Sequence, residues 1–430
     1  MTFSEQCRSF VGLRIAAVAT LLLMFAAMPA SAQTFTILHS FTGGVDGSEP
    51  LAGVILDHAG NIYGTTSGGA LDGYCGQHDC GQAFRLSRRG SGWVLQSLHT
   101  FYGGSDGSTP LAKLLLAPDG TLYGTTYYGG GGSSCFDYTG CGTAFRLQAS
   151  PSACRSVSCP WLETVLYSFQ GGDDGANPSS GLVMDSAGNL NGVTVNSGDG
   201  SPYGCLGAGC GVLYQVARTP GGWTQSVLYA FTGFTDGGNP WGDMVLDRLG
   251  NLYGTGQVGG DEAGSVFQAS RTGSGWTVRV IQWLIGTSDG IYSRGLTIDS
   301  AGNLYGGTAG EGPGGGGTVY ELLPSNGRWN LDLLWSINGV YGDGASELVL
   351  DAAGNLYGVT LGDGAYGRGS VFKLTPSGGG WTYTDLHDFT GGSDGQAPYG
   401  PLAIDGAGNI YGVVSQGSSG GAGAVFEITP

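Results

Sequence analysis

The amino-acid sequence predicts an all-β fold, a seven-bladed β-propeller of four-stranded antiparallel blades. The first observation is a repeat. A Gly-Gly-x-Asp-Gly segment, as at Gly43–Gly47, precedes a Gly-Asn-(Leu/Ile)-Tyr-Gly core, as at Gly60–Gly64; the Asp-Gly pair recurs six more times, and so does the core with small variations, such as Asn191 in place of Tyr. A spacing of roughly 50–70 residues is typical of propellers, solenoids and arrays. The second observation is that the two ends of the chain complement each other, which favours a closed ring.

Each repeat predicts four short strands separated by turn residues. In the first repeat these are Leu51–Leu56, Ile62–Thr66, Gly81–Leu86 and Trp93–Phe101, with the turn Asp57–Asn61 between the first two. Branched and aromatic residues favour the strands, whereas Asp, Asn and Gly favour the turns. No amphipathic helix is expected in this part of the chain.

The ends of the chain predict how the ring closes. The seventh repeat stops after its third strand, whereas Thr34–Phe41 forms a spare fourth strand. Its Leu-His-x-Phe ending matches Leu98–Phe101 and Leu386–Phe389. Pairing this N-terminal strand with the last three strands leaves no open sheet edge. We therefore expect it to complete the last blade, a split that an open solenoid would not need.

The first 32 residues have the features of a secretory signal peptide. Basic residues precede an apolar run over 15–28, and Ala30–Ala32 has the small-residue pattern of a cleavage site. The apolar run is shorter than the about 20 residues of a membrane span, although a retained anchor is the alternative. We predict a secreted or extracytoplasmic protein whose propeller spans 33–430, with no membrane insertion after cleavage.

The composition is acidic, with a net charge of −17. An acidic surface repels phosphate backbones and anionic lipids, so nucleic-acid binding and docking on anionic membranes are not expected. Solubility outside the cell is the simplest explanation, and cation binding is the alternative. We expect a monomer.

Eight of the nine cysteines fall as four close pairs in the predicted mature chain. In an exported chain this pattern predicts disulfides. Each would contribute about 2 kcal/mol by restricting the unfolded chain. Structural zinc is the alternative, but it needs four ligands and only His78 offers a nearby nitrogen. The predicted pairs are Cys75/Cys80, Cys135/Cys141, Cys154/Cys159 and Cys205/Cys210.

One aspartate, followed by glycine, recurs in the link before each blade. An Asp before Gly commonly accepts backbone N–H bonds, and a residue used identically in each repeat is usually structural, so we favour turn capping. Carboxylate and carbonyl oxygens also suit Ca²⁺, which makes a calcium site the alternative. No other cofactor is expected. The seven residues are Asp46, Asp106, Asp174, Asp236, Asp289, Asp343 and Asp394.

The loops between second and third strands differ in length. They are long in the first three blades, at 67–80, 127–141 and 195–210, and short in the other four. Propeller topology places them on one face with the blade-to-blade links, where function usually resides. Aromatic rings beside polar groups suit sugars or peptides, although the same rings would also pack the loops together. The candidate ligand-binding residues are Tyr74, Tyr127, Tyr128, Phe136, Tyr138 and Tyr203.

Catalysis would need an asymmetric site, and therefore residues that break the repeat. Paired carboxylates on the loops are candidates for the acid and base of glycoside chemistry. No nucleophile elbow, zinc-protease motif or phosphate loop is present, so no catalytic residue is assigned. The loop carboxylates are Asp72, Asp79, Asp137, Asp261, Glu262, Glu311 and Asp363.

The repeat Gly-Gly-x-Asp-Gly-x-x-Pro, then Asp-x-x-Gly-Asn-Leu-Tyr-Gly-Thr-Thr, resembles that of the bacterial choice-of-anchor tandem repeat GloVer-containing proteins. The resemblance covers essentially all of the predicted mature chain. It implies an exported repeat protein held by a C-terminal anchor, and it implies no established activity or site residue. Because no sorting tail follows Phe426–Pro430, we expect release, or capture by a partner.

Together these observations predict a binding or display module for a glycan or a protein at or outside the cell surface. The alternative is an extracellular enzyme acting on polysaccharide or a lactone, with loop carboxylates as acid and base.

Overall fold

Seven antiparallel sheets make up almost all secondary structure in the part of the chain that the structure describes. Each sheet is one blade, which confirms the predicted all-β seven-bladed propeller. No helix in these residues is long and apolar enough to cross a membrane. The predicted signal peptide lies outside them. The structure, a computed structural model, describes residues 33–69, 80–132, 135, 140–150, 161–198, 205, 208–260, 263–273, 275–339, 342 and 344–430.

The strands follow one another outward from the propeller axis in each blade, and the innermost strand of blades 3 and 4 is split in two. Blades 1 to 3 contain β2 (Val54–Leu56), β3 (Ile62–Thr66), β4 (Gln82–Arg89), β5 (Gly92–Thr100); β6 (Leu115–Leu116), β7 (Leu122–Thr126), β8 (Thr143–Ala149), β9 (Trp161–Ser168); and β10 (Ala176–Pro178), β11 (Val183–Met184), β12 (Leu190–Asn196), β13 (Val212–Thr219), β14 (Gly222–Ala230). Blades 4 and 5 contain β15 (Gly238–Pro240), β16 (Val245–Leu246), β17 (Leu252–Val258), β18 (Ser265–Thr272), β19 (Gly275–Trp283); and β20 (Ile291–Ile298), β21 (Leu304–Gly310), β22 (Gly315–Ser325), β23 (Arg328–Asn338). Blades 6 and 7 contain β24 (Val349–Leu350), β25 (Leu356–Thr360), β26 (Ser370–Ser377), β27 (Gly380–Asp388); and β28 (Gln396–Ile404), β29 (Ile410–Gln416), β30 (Ala424–Thr429), β1 (Thr34–Ser40).

The N-terminal strand closes the ring as predicted. Blade 7 has the strand order β1-β30-β29-β28, and the Phe41 N–H donates to the Gly423 carbonyl at 2.9 Å. Phe35 packs on Phe426 within blade 7, with ring centroids 5.5 Å apart. Phe41 contacts Phe84 of blade 1 at 5.3 Å. This one strand therefore completes the last blade and joins it to the first.

Two local features differ from the sequence prediction. The innermost strand of blade 1 begins at Val54 rather than Leu51, because Gly53 has a φ of +67° that interrupts an extended strand. The residues before it turn towards the propeller axis. In addition, short helical turns cover Gly172–Asp174 and Gly286–Asp289 within two blade links, where no helix was predicted.

An aromatic ring on the third strand of each blade fills the interior. In blade 2, Phe145 meets Phe101 of blade 1 at 5.1 Å in an edge-on arrangement. These rings explain the glycine of the Tyr-Gly motif, because a Cβ on Gly64 would lie 2.7 Å from Cζ of Phe84. The fully buried rings are those of Phe84, Phe145, Tyr214, Phe267, Tyr320, Phe372 and Phe426.

Replacing Tyr214 by Phe is expected to stabilise the propeller by about 1–2 kcal/mol, because a buried hydroxyl without a partner carries a desolvation cost. The Tyr214 hydroxyl has no partner among the described residues. Tyr320 is the matched control, since its hydroxyl lies 2.6 Å from Ser293 Oγ. Chemical denaturation measures both variants. Stabilisation by Tyr320→Phe, or none by Tyr214→Phe, would contradict the assignment.

The Asp-x-x-Gly-Asn turns on the opposite face from the loops share one hydrogen-bond pattern. Asp57 Oδ1 accepts the N–H groups of Ala59 and Asn61 at 2.9 and 2.8 Å. Its Oδ2 accepts from Asn61 Nδ2 at 2.7 Å and from the Tyr63 hydroxyl at 3.1 Å. Burial acts in the opposite direction, but these bonds together lower the pKa of the carboxyl. The same holds at Asp247, Asp351 and Asp405.

These turns are expected to make the propeller sensitive to acid. A carboxyl whose pKa is lower in the folded state stabilises the fold above its unfolded pKa of about 3.9 and loses that contribution as the pH falls through the folded pKa. The melting temperature should therefore fall steeply below about pH 4. Asp351→Asn should flatten this dependence while lowering stability near pH 7. A melting temperature that does not change between about pH 5 and pH 2 would be the contrary result.

Candidate functional site

The prediction that disulfides join the close cysteine pairs of the long loops is confirmed in part. The links and the variable loops lie together, since Ser48 N–H donates to Gly68 O at 2.9 Å and Gly130 N–H donates to Gly104 O at 2.8 Å. Two predicted disulfides are present, Cys135–Cys141 and Cys205–Cys210. Cys80 is also disulfide-bonded. Predicted residues outside the described part of the chain are Cys75, Cys154, Cys159, Tyr74, Phe136, Tyr138 and Tyr203.

Tyr127 and Tyr128 are the predicted aromatic residues that the structure describes. Their rings are nearly perpendicular, with centroids 4.8 Å apart. They line a small cleft of about 110 Å³ together with Asn177 and Asn196. The Tyr127 ring also lies 6.3 Å from the ring of Trp241 in blade 4. The aromatic rings therefore continue from the loops of blade 2 towards Trp241.

The repeated Asp-Gly carboxylates hold their own turns. Each of these carboxylates that the structure describes accepts a hydrogen bond from the N–H of the residue four positions earlier. Examples are the bonds from Gln170 to Asp174 and from Thr232 to Asp236, both at 3.0 Å. The outer strand adds a second donor, since the Tyr229 hydroxyl lies 2.9 Å from Asp236. Equivalent bonds occur at Asp46, Asp106, Asp289 and Asp394.

Two histidines of the outer strands contact these same carboxylates. His39 and His99 place Nε2 3.3 Å from Asp46 and Asp106. Among the described residues, no three His, Cys, Asp or Glu side chains converge as a metal-ion group. Asp343 lies outside those residues. Calcium binding stays a prediction, which a rise in melting temperature with Ca²⁺, reversed by EDTA, would support.

A cavity of about 200 Å³ lies on the propeller axis, because residues of all seven blades line it. In blades 1, 2 and 6 the lining residues precede the innermost strand, whereas Arg294 lies within β20 and Tyr399 within β28. Many of them are small or apolar, such as Leu51, Ala52 and Ala112. The charged and aromatic exceptions are Lys113, Asp243, Arg294, Glu347, Trp241 and Tyr399.

One repeat position supplies three of these charges. From blade 1 to blade 7 it holds Gly53, Lys113, Gly181, Asp243, Gly295, Glu347 and Pro401. Long side chains in blades 2, 4 and 6 thus alternate with glycine in blades 1, 3 and 5. The glycines make room for their neighbours, since a Cβ on Gly181 would lie 2.7 Å from Asp243 Oδ1.

The three side chains form a connected network across the channel. Lys113 Nζ lies 2.8 Å from Asp243 Oδ2, and the Gly181 N–H donates to Asp243 Oδ1 at 2.6 Å. The Asp243 N–H in turn donates to Glu347 Oε1 at 2.5 Å. The side chains of Lys113 and Asp243 keep 34% and 13% of their exposure, so the ion pair is largely withdrawn from solvent. Blades 2, 4 and 6 are therefore linked over the glycine-bearing blades between them.

This environment changes how the carboxyl and ammonium groups titrate. Burial raises the pKa of Glu347, and the neighbouring Asp243 carboxylate acts in the same direction. For Lys113, burial is outweighed by the negative charges of Asp243 and Glu347, so its pKa is raised. Lys113 therefore stays charged, whereas Glu347 retains its proton to a higher pH than a free carboxyl. Such a group is suited to donate a hydrogen bond or to transfer a proton.

Arg294 occupies another part of the cavity lining. Its Nη1 donates to the Tyr399 hydroxyl at 2.8 Å, and the guanidinium carbon lies 5.3 Å from the centre of the same ring. Within the described part of the chain it makes no ion pair and no other hydrogen bond. Because a guanidinium has five N–H donors, most of them remain for a ligand.

Sequence reasoning missed this site. Repeat-breaking residues are most visible in the variable loops, whereas Lys113, Asp243 and Glu347 stand in an otherwise regular segment. The signal was nevertheless present. When the seven repeats are aligned, the residue just before the first-strand leucine, valine or methionine is positively charged in one repeat and negatively charged in two others.

Comparisons with solved structures concern the fold alone. A protein from Lactobacillus plantarum is 12% identical, with a TM-score of 0.48 over 78% of this chain and 84% of that chain. A mutant of AofleA from Arthrobotrys oligospora is 13% identical, with a TM-score of 0.44 over 84% and 91%. A gluconolactonase from Xanthomonas campestris is 11% identical, with a TM-score of 0.41 over 76% and 86%.

The sequence itself establishes the family. A comparison with curated proteins gives no match. The repeat profile of one family, however, matches residues 24–209, 140–331 and 274–430, which overlap and span the propeller. These matches confirm the family that the Asp-Gly and Asn-Leu-Tyr-Gly motifs predicted. The chain belongs to the Gloeobacter/Verrucomicrobia repeat family.

Proposed function

We propose that this protein is an exported binding module for a glycan, which lies along the loop face and ends in the central cavity. The observation that carries the proposal is the asymmetric set of side chains on the axis. A residue that recurs in every blade serves the fold, whereas Lys113, Asp243 and Glu347 each occur in one blade. Burying charged groups costs folding free energy. Binding of a polar ligand would explain why the chain keeps these charges in the cavity.

The aromatic residues supply a path for a sugar chain. The rings of Tyr128, Tyr127 and Trp241 follow one another from the loop cleft to the cavity, at 4.8 and 6.3 Å. Aromatic faces pack on apolar surface, and a few placed polar groups fix orientation. The cavity is smaller than the roughly 300–1,000 Å³ of sites for drug-sized ligands, which favours a single sugar ring at the end of the chain. The two disulfides support a location in an oxidising compartment.

A thermal-melt panel with cell-wall and plant oligosaccharides tests the proposal. A ligand that binds only the folded state adds about 2.7 kcal/mol of stability at 100 times its dissociation constant. Trp241→Leu should abolish the shift, whereas Trp276→Leu on the outer strand β19 should preserve it. If no saccharide raises the melting temperature of the oxidised wild-type protein, the glycan proposal is wrong.

Catalysis is the second candidate, and the proton-retaining Glu347 beside Asp243 is the observation that favours it. A protonated carboxyl can act as the acid, and a neighbouring carboxylate as base or nucleophile, on a glycosidic bond. Opening of a lactone needs the same type of proton transfer. Glu347→Gln should then retain saccharide binding and lose turnover. Product analysis after incubation with each bound saccharide, and with lactones, decides the matter, and the absence of any product would exclude this second function.

A further inference from the structure

The charges in the central cavity do not balance. Lys113 is neutralised by Asp243, which it contacts at 2.8 Å. Glu347 accepts the Asp243 N–H, and burial raises its pKa, which reduces its negative charge. Arg294 has no acidic partner among the described residues. The cavity therefore presents one uncompensated cation, within a protein whose net charge is −17.

Tyr399 holds this cation in a defined orientation. Its hydroxyl accepts one N–H of Arg294 at 2.8 Å, and its ring lies beside the guanidinium plane at 5.3 Å. Fixing the side chain in advance reduces the entropy lost when a ligand binds. A guanidinium whose other N–H groups are available matches the two oxygens of a carboxylate, and such paired charge-assisted bonds are strong and directional.

We propose that the ligand of the central cavity carries a carboxylate, as the terminal uronic acid of an acidic glycan does, and that Arg294 binds it. This inference rests on the proposed glycan-binding function and specifies its ligand class. Trp241 supplies an aromatic surface for the sugar ring, whereas the positive charge of Lys113 on the cavity wall is already paired with Asp243. The acidic exterior does not oppose such a ligand strongly, because exposed charges beyond roughly 10 Å are screened at 0.1 M salt.

Two sugar pairs test the carboxylate directly. Galacturonic acid and galactose share one ring and differ at the C6 carboxylate, as do glucuronic acid and glucose. Titration calorimetry should show that at least one acid binds wild-type protein and that its neutral partner binds at least about 10-fold more weakly. Arg294→Gln should weaken binding of that acid by about 10- to 100-fold, the range expected for loss of a charge-assisted hydrogen bond.

Control variants separate this contact from general electrostatics and from misfolding. Arg271→Gln removes the same charge from an exposed site on β18 and should leave binding unchanged. Arg294→Lys keeps the positive charge but lacks the planar guanidinium that can pair with both carboxylate oxygens, so it should bind the acid with intermediate affinity. Tyr399→Phe removes only the hydroxyl that holds the guanidinium. Each variant's melting temperature establishes that the propeller is folded.

The outcomes distinguish this inference from the function on which it rests. If an acid and its neutral partner bind equally, or if Arg294→Gln binds as well as wild type, the carboxylate assignment is overturned while glycan binding stands. The same conclusion follows if neutral oligosaccharides bind and none of the acids does. If no saccharide of any kind binds, both are overturned together.

Discussion

Removal of residues 34–41, which comprise β1 and Phe41, is expected to abolish cooperative folding of the propeller, rather than only weaken its last blade. Without β1, strand β30 becomes an open edge, and the fully buried Phe41 no longer covers Phe84 of blade 1. Removing one large aromatic side chain from a core typically costs about 3–5 kcal/mol. The deletion removes Phe35 as well as a whole ladder of backbone bonds. The total loss approaches the entire stability of an ordinary domain, about 5–15 kcal/mol.

A rearranged chain provides the control for this prediction. Moving residues 33–41 behind Pro430, with a short linker, keeps every side chain and changes only the connection. That protein should fold with a cooperative transition close to that of wild type, whereas the deletion should show none by circular dichroism or calorimetry. Phe41→Ala should fall between them. A deletion variant that melts cooperatively at the wild-type temperature would show that β1 is dispensable.

Lys113→Met is expected to lower the free energy of unfolding of the propeller, and the loss should increase with pH. The variant leaves Asp243 and Glu347 without the ammonium that lies beside them. Breaking a buried ion pair costs about 3–5 kcal/mol, and the partial exposure of Lys113 reduces the expected loss to about 1–3 kcal/mol near neutral pH. Loss of the ammonium raises the folded-state pKa of Glu347 further. A group with a raised folded pKa stabilises below its unfolded pKa and loses that contribution as the pH rises, so the deficit should be smaller at pH 5 than at pH 8.

Denaturant titrations between about pH 5 and pH 8 measure this effect. Lys373→Met is the matched control, because it removes a lysine from β26, where the ammonium lies over the Tyr357 ring outside the channel. Adding Asp243→Asn to Lys113→Met removes the unpaired charge while leaving an oxygen for the Gly181 N–H, and should recover part of the stability. An equal loss at every pH would mean that Lys113 acts through packing and not through its charge.

The closure was predictable because it repeats a local pattern. The Leu-His-x-Phe ending of Thr34–Phe41 has counterparts in two other repeats, so one segment could be recognised as a displaced copy. The Tyr-Gly motif was equally visible, but the sequence did not show why glycine is needed there. The glycine of blade 1 is required by Phe84 on the next strand, and only the register of Gly64 opposite Phe84 brings them together.

The axial site was not predictable by the same approach. Asp243 and Glu347 are 104 residues apart, in different repeats, and they meet only because the ring brings the starts of the innermost strands to one axis. A comparison of the repeats that looks for shared residues ignores residues that occur in one repeat alone. Finding them requires the opposite question, namely which residues at one position differ, and Gly181 beside Asp243 shows why the difference is tolerated.

The alternation of glycine and long side chains around the axis has a consequence for the number of blades. Small and large residues can alternate perfectly only around a ring with an even number of blades, so a ring of seven has one place where two neighbours are both glycine or both larger. That place is between Glu347 and Pro401, and the short, rigid proline extends no charge over the adjacent blade. Loss of blade 5 would place Asp243 next to Glu347, and loss of blade 4 would place Gly181 next to Gly295, whereas loss of blade 7 would leave the alternation intact. The residues on the axis thus constrain which blade could be lost, and blade 7, which they leave unconstrained, is the one that the closing strand completes.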